Sequence, residues 1–245
     1  MAHDFSEAHH LPGQNPDGLQ ADPEGLPRQR RGTTPQMHGR YPDYDVLEQA
    51  GHWDEVTRRL VLGRVEEPPP IRFFDEREAA TLAAFCDCVT AQDREPRIPV
   101  LAFVDEKLFE GKLDGWQFED MPGDGETWRR VARGLDEAAR NLPGIESFHA
   151  ATLEMQHEIC QRFAGAELRG GVWDSLPCAR AWSVVMRATL AAFYAHPWAW
   201  NEIGFGGPAY PRGYSRLGVG MREAWEGDEA FDLDPVKDTQ ERGLE

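Results

Sequence analysis

Apolar positions in the middle of the chain recur every three or four residues, which is typical of amphipathic helices. The clearest segment begins at Asp75, and Glu78 three positions later completes an Asp variant of the capping box. Leu82, Phe85 and Val89 then follow on one face. This pattern predicts a helix that starts after Asp75 and packs its apolar face into a core.

Five further segments have a similar periodicity, so six helices are predicted. The additional segments cover residues 45–62, 99–108, 124–142, 147–164 and 174–195. Asp124 is predicted to cap the fourth helix, and Asp174 or Ser175 the last. Pro99 is expected in the first turn of the third.

Two of these helices have apolar stripes that predict which residues face inward. In the first, Trp53, Val56 and Leu60 are expected to point into the core. In the fifth, the predicted stripe contains Leu153, His157, Cys160 and Ala164, so that His157 is interpreted as a hydrogen-bonded interior histidine.

Strand signals are missing from the sequence, which has no convincing hairpin, no alternating apolar pattern and no internal repeat. We therefore predict an all-α fold, a helical bundle of about six helices. A long irregular segment rich in aromatic residues, glycine and proline follows the bundle.

Both ends of the chain differ in composition from this middle part. Residues 1–40 contain five prolines, five glycines and four of the eight histidines, which predicts a disordered or extended arm. Residues 226–245 hold eight acidic and two basic side chains and form an acidic tail. The helical domain is expected to cover residues 41–225.

The charge balance excludes one class of partner. The 245 residues include 26 basic and 43 acidic side chains, for a formal net charge of −17. Proteins that bind nucleic acid neutralise its phosphates with Lys and Arg, so nucleic acid is not an expected partner.

The expected compartment follows from three negative signals. Four cysteines are too few for a secreted disulfide framework. No apolar run reaches the roughly 18 residues that a membrane span needs. Arg30 and Arg31 are not followed by the apolar region of a twin-arginine export signal. A cytoplasmic location is expected, with co-export or membrane association through a partner as the alternative.

Cys86 and Cys88 form a C-x-C pair, the one spacing suggestive of a metal or redox site. Residues two apart on a helix point about 200° away from each other, so the two thiols should diverge. We interpret Cys86 as a small core residue and Cys88 as facing elsewhere, and we predict no metal site and no catalytic residue with a recognised motif.

Residues 196–225 stand out because six glycines, three prolines and six aromatic side chains fall within thirty positions. Long irregular segments in compact domains are commonly functional, and Trp, Tyr and Arg are enriched in binding hot spots. The alternatives are a partner-docking surface and an aromatic segment folded back over its own bundle, and both can hold together. The candidate partner-binding residues are His196, Trp198, Trp200, Asn201, Glu202, Tyr210, Arg212 and Tyr214.

The same segment resembles a known family. The sequence HPW at residues 196–198 and NEIGFGGPAYPRGY at residues 201–214 is similar to the C-terminal signature of the gluconate 2-dehydrogenase subunit 3 family. Residues 73–78 and 82–93 resemble the opening helix of that family and the turn after it. The resemblance covers roughly residues 71–214.

The resemblance implies a small helical subunit of a flavin-dependent dehydrogenase. In the family, FAD and the catalytic residues belong to a large subunit of the glucose-methanol-choline type, and some complexes add a cytochrome c subunit. The small subunit has no cofactor of its own and supports folding, export or stability of its partner. An accessory, non-catalytic subunit is thus the expected function.

Two other functions fit the residues. In the first, His196, Asn201, Glu202 and Arg212 converge on a small-molecule pocket lined by tryptophans and perform acid-base chemistry. In the second, the chain is a stand-alone binding module whose acidic tail attracts a basic partner.

Overall fold

The computed structural model describes residues 44–93, 95–215 and 223–227. All regular secondary structure in these ranges is helical, which confirms the predicted all-α fold. The α-helices are α1 (Glu55–Glu66), α2 (Glu76–Val89), α3 (Val100–Phe109), α4 (Asp124–Arg140), α5 (Leu153–Ala164), α6 (Cys178–Tyr194) and α7 (Pro197–Ile203). Short 3₁₀ helices cover Val46–His52, Phe148–Ala150 and Gly171–Asp174.

The predicted arm over residues 1–40 lies outside the described residues, and so does the acidic tail apart from Glu226 and Gly227. In the ranges that are described, none of the helices combines the length and the apolar character needed to cross a bilayer.

The chain divides into two compact units. The larger unit covers residues 67–195 and contains α2 to α6. Of the described residues, the smaller unit combines 44–66 with 196–215 and 223–227, so it contains the first 3₁₀ helix, α1 and α7. Segments far apart in the sequence therefore build the smaller unit together.

Helix α2 starts as the sequence predicts. The Asp75 carboxylate accepts a hydrogen bond from the Glu78 backbone N–H at 2.8 Å, and the Glu78 carboxylate accepts one from the Asp75 N–H at 3.3 Å. This reciprocal pair is a complete capping box. Leu82 and Phe85 are fully buried, which confirms the predicted apolar face.

Two buried carboxylates of the larger unit organise its backbone. Asp105 in α3 accepts hydrogen bonds from the backbone N–H groups of Arg72, Phe73 and Phe74 at 2.7, 2.9 and 3.0 Å. These three residues directly precede α2, so the carboxylate holds the segment before α2 against α3. Asp136 in α4 accepts a hydrogen bond from the Thr81 hydroxyl of α2 at 2.7 Å.

The predicted inward stripe of the first helical segment is wrong in part. Trp53 is buried, but Val56 and Leu60 are 63% and 60% exposed. The break that Gly51 indicates in the sequence is present, because residues 45–62 are divided between the 3₁₀ helix Val46–His52 and α1. In α1 the buried apolar residue is Val61, and not Val56 or Leu60.

The stripe predicted for α5 is displaced. Leu153, His157 and Ala164 are exposed, whereas the buried side chains are those of Gln156, Ile159, Cys160 and Phe163. A shift of one residue turns a helical face by about 100°. His157 is therefore a surface residue and not an interior one.

Three predicted helix starts also differ by small steps. Gly123 precedes α4, so that Asp124 is the first helical residue and not the cap. Pro99 takes the cap position of α3 and not its first turn. Pro177 occupies the cap position of α6, because residues 171–174 form a separate 3₁₀ helix that ends before Ser175.

The thiols of Cys86 and Cys88 diverge as predicted, yet both are buried. The Cys86 sulfur lies 3.9 Å from the Thr189 hydroxyl of α6, and burial raises the pKa of this thiol to about 12. Cys88 is turned toward α5, where its thiol forms a hydrogen bond with that of Cys160. The C-x-C pair thus contacts two different neighbouring helices.

Candidate docking surface of the smaller unit

Residues 197–203 are helical, although their sequence has no helical period. His196 is the N-cap of α7, where its Nδ1 atom accepts a hydrogen bond from the Trp198 N–H at 3.2 Å. Pro197 follows in the first turn, where its missing N–H is not needed. Gly204 ends the helix in the left-handed conformation, with φ of 66°.

Both tryptophans of α7 point into the protein. Trp200 belongs to a buried cluster with Val46, Leu47, Trp53 and Val61. Trp198 is equally buried, at 4% exposure. Both candidate contact residues are thus buried, and Trp200 forms part of the core of the smaller unit, as the folded-back alternative expects.

Asn201 joins α7 to the first 3₁₀ helix. Its Oδ1 atom accepts a hydrogen bond from the Val46 N–H at 2.7 Å, and its Nδ2 atom donates to Asp45 at 3.4 Å. The Asp45 carboxylate also caps that 3₁₀ helix by accepting from the Leu47 N–H at 3.0 Å. All these groups are buried, so that the network fixes one arrangement of the two segments.

His196 is buried and electrically neutral. Its Nε2 atom lies 3.2 Å from the carbonyl oxygen of Arg64, and since a carbonyl only accepts, Nε2 carries the proton. Burial lowers the pKa of His196 from 6.5 to about 4. The side chain therefore serves as a structural connector between α1 and α7.

Arg212 has partners inside the same unit. Its Nη1 atom donates a hydrogen bond to the side-chain amide oxygen (Oε1) of Gln49 at 3.0 Å. Its guanidinium carbon lies 4.2 Å from the centroid of the Trp225 ring. Burial lowers the pKa of Arg212. This candidate contact residue thus anchors its segment to the first 3₁₀ helix and to Trp225.

Glycine is required where residues 206–207 pass over the aromatic core. At Gly207, φ is 73°, and a Cβ atom would lie 2.8 Å from the Trp53 ring and 3.0 Å from Val46. Tyr44 secures the same region from the other side by donating its hydroxyl to the Trp225 carbonyl at 2.8 Å. The described part of the irregular segment is therefore closely packed against the first 3₁₀ helix and bonded within the smaller unit.

Among the described residues of this segment, four large apolar or aromatic side chains are exposed at the surface. We call them the exposed aromatic set, and they are Ile203, Phe205, Tyr210 and Tyr214. Tyr210 is the most exposed of these, at 68%. Phe205 is held edge-on against Trp200 with 5.5 Å between ring centroids. The surface side chains thus rest on a well-packed base.

The eight candidate residues fall into three groups by exposure. Tyr210 and Tyr214 are exposed, Glu202 and Arg212 are partly buried, and the other four are buried: His196, Trp198, Trp200 and Asn201. His196, Asn201 and Arg212 are directed to Arg64, Val46 and Gln49, which are three different anchors. That arrangement does not support the alternative in which they converge on a substrate.

Several residues that complete this site are not among the candidates from the sequence. Ile203 and Phe205 are two of them, and both are exposed and apolar. Asp45 and Gln49 were not recognised because their partners, Asn201 and Arg212, follow more than 150 positions later. The aromatic composition of the segment was the available signal, but it does not distinguish inward from outward side chains.

Comparison with known proteins yields one match. The family model described as gluconate 2-dehydrogenase subunit 3 matches residues 76–207, which is more than half of the chain. The matched range includes α2 to α7. No curated protein and no solved structure matches the chain.

Proposed function

The chain belongs to the gluconate 2-dehydrogenase subunit 3 family, and from this premise we propose that it is a non-catalytic accessory subunit of a flavin-dependent alcohol or sugar dehydrogenase. Its partner is a large subunit of the glucose-methanol-choline type that carries FAD. The small subunit supports folding, stability or assembly of this partner and binds no cofactor itself. A cytochrome c subunit completes the assembly where electrons leave through haem.

The observation that carries this proposal is the family match. The geometry adds the exposed aromatic set as the surface through which the chain would dock. Phe205 and Tyr214 present apolar area that ring contacts with Trp200 and Trp225 hold in place, and Tyr210 adds a side chain that is 68% exposed. A surface that is ordered before binding loses little conformational entropy when it docks. We therefore assign docking to this set and a supporting role to the buried residues.

The four cysteines bear on where the complex assembles. All four are free thiols buried in the larger unit. Reduced thiols are usual in the cytoplasm and uncommon in secreted proteins. This supports assembly in the cytoplasm.

Co-expression provides the test. The tagged chain is produced together with a flavin-dependent dehydrogenase of the glucose-methanol-choline type from the same organism, and the purified material is examined for flavin absorbance and for both polypeptides. We expect a yellow complex, and we expect the dehydrogenase to be less soluble when it is produced alone. A colourless, single-chain product together with an unaffected dehydrogenase would overturn the proposal.

A pair of variants assigns the docking surface. Phe205→Ser combined with Tyr210→Ser should reduce the recovered dehydrogenase, because both remove apolar contact area from the exposed aromatic set. Leu153→Ser is the control, since Leu153 is 46% exposed but lies on α5 of the larger unit. If the unmodified chain, the double variant and Leu153→Ser all recovered the same amount of dehydrogenase, the docking surface would lie elsewhere, while the proposed subunit role would be unaffected.

A further inference from the structure

A cavity of about 180 Å³ lies between α3, α4 and α6 in the larger unit. Its walls are largely apolar, and they include Phe103, Leu108, Trp128, Val184 and Ala188. An engineered protein cavity of about 150 Å³ takes up benzene. The space here is therefore sufficient for one six-membered ring with a short substituent.

Charged side chains occupy one edge of this cavity. The Lys107 Nζ atom donates to Asp114 at 2.6 Å, and the Arg187 guanidinium lies 3.5 Å from the other oxygen of the same carboxylate. All three side chains are about half exposed, so this edge faces solvent. One carboxylate thus serves two cations.

Asp124 supplies the fourth charge of the edge. It lines the cavity and is partly buried, and among the described residues it has neither a hydrogen bond nor an ion pair. Burial raises its pKa, and the positive charge of Arg187 acts in the opposite direction to a smaller extent. The Asp124 carboxylate therefore lies at the edge of the apolar cavity and can accept a hydrogen bond from a ligand there.

The segment after α3 covers part of the cavity and is anchored to α6. Leu113 and Asp114 line the cavity directly. The Trp116 ring lies under the Arg187 guanidinium, with 5.4 Å from its carbon to the ring centroid. Arg180 stacks in the same way on Phe118, at 5.1 Å. These contacts to two arginines of one helix hold the cover in position.

We propose that this cavity binds a small neutral alcohol or phenol, with the ring or alkyl part among the apolar walls and the hydroxyl at the edge formed by Asp124 and Arg187. Two cations and two carboxylates at this edge cancel in formal charge, so neither an anionic nor a cationic ligand is favoured. A hydroxyl group both donates and accepts. It can donate to the Asp124 carboxylate and accept from the Arg187 guanidinium.

The test uses the purified full-length chain and four probes of one shape: benzyl alcohol, toluene, benzoate and benzylamine. Calorimetric titration should give the highest affinity for benzyl alcohol. Hydrogen bonds to charged groups contribute about 1.5 kcal/mol or more, so about a tenfold preference over toluene is expected. Benzoate and benzylamine should bind no better than toluene.

Three variants locate the site. Ala188→Leu fills the cavity and should abolish binding, whereas Ala179→Leu on the exposed side of the same helix should leave it unchanged. Asp124→Ala should lower the affinity for benzyl alcohol to that for toluene. If Ala188→Leu fails to fold, Ala192→Leu replaces it, because Ala192 also lines the cavity.

Several outcomes would overturn the inference. Benzyl alcohol could fail to bind to the unmodified chain, or it could bind equally to the variants with a filled cavity. The charged probes could bind as tightly as benzyl alcohol. If instead Ala188→Leu reduced the recovery of a co-expressed dehydrogenase and no probe bound, the cavity would take a side chain of the partner, and the inference would be wrong.

Discussion

The Nε2 atom of His196 and the carbonyl oxygen of Arg64 are joined by a buried hydrogen bond of 3.2 Å. This bond connects the last turn of α1 to the first residue before α7. Because the donor is a titratable ring held in its neutral form, the stability of the smaller unit depends on pH.

The first prediction concerns that pH dependence. The pKa of His196 is about 4 in the folded protein and 6.5 for the free side chain, so between these values the unfolded chain binds the additional proton. The free energy of unfolding therefore falls as the pH decreases from 6.5 to about 4, by up to about 1.4 kcal/mol per pH unit from this group. Denaturant titrations at several pH values measure the slope.

His196→Gln serves as the matched variant. Glutamine keeps an N–H donor for Arg64 but does not titrate, so the variant should lose less stability over the same pH range. Other titrating groups contribute equally to both proteins and cancel in the difference. Parallel curves for the two proteins would contradict the prediction.

The second prediction concerns Asp105. In Asp105→Asn one carboxylate oxygen becomes an amide nitrogen, which cannot accept, so at least one of the three backbone N–H groups of residues 72–74 loses its acceptor. A buried donor without a partner costs about 1–3 kcal/mol, and we expect a loss of that size in the free energy of unfolding. Chemical denaturation measures it. The exposed Asp93 offers the control, since Asp93→Asn should change stability by less than about 0.5 kcal/mol.

The third prediction compares two glycines within helices. Replacement of glycine by alanine usually stabilises a helix by up to about 1 kcal/mol. At Gly63 in α1 nothing lies within 4 Å of the added Cβ, so Gly63→Ala should stabilise. At Gly134 in α4 the Cβ would lie 2.5 Å from the buried Trp173 ring. Gly134→Ala should therefore destabilise by about 1–3 kcal/mol, and opposite signs in denaturant titrations are the expected result.

The fourth prediction distinguishes supporting from surface aromatics. Trp200→Ala removes a large buried side chain from its cluster and should lower the free energy of unfolding by about 3–5 kcal/mol. Tyr210→Ala removes a mostly exposed side chain and should change it by less than about 0.5 kcal/mol. Only the second variant should reduce recovery of the dehydrogenase without a change in thermal stability. Equal destabilisation by both would show that Tyr210 is structural.

Local signals explain which parts of the fold were predictable. The start of α2 follows from Asp75 and Glu78, which are three positions apart and bond directly to each other. The face of α5 did not follow, because Leu153 and Ile159 are both apolar and only the surrounding helices determine which is buried. Helix positions were thus easier to predict than helix rotation.

The site shows the same division at a longer range. The unusual aromatic content marked residues 196–225 as important, and the family resemblance that they carry is confirmed by the match over residues 76–207. The inward direction of Trp200 could not be predicted, because it depends on Val46, Trp53 and Val61, which lie more than 130 positions earlier. Nothing near Trp200 in the sequence indicates those partners.

The composition of the smaller unit has a consequence for the growing polypeptide. A ribosome releases residues 44–66 long before it makes residues 196–215, yet the cluster around Trp200 needs both. During translation residues 44–66 are therefore made before the residues that complete their core. All of the larger unit, residues 67–195, is synthesised between these two segments. The exposed aromatic set therefore acquires its buried support only after residues 196–215 have been made, so that a partner binding this surface would distinguish chains that contain these residues from shorter ones.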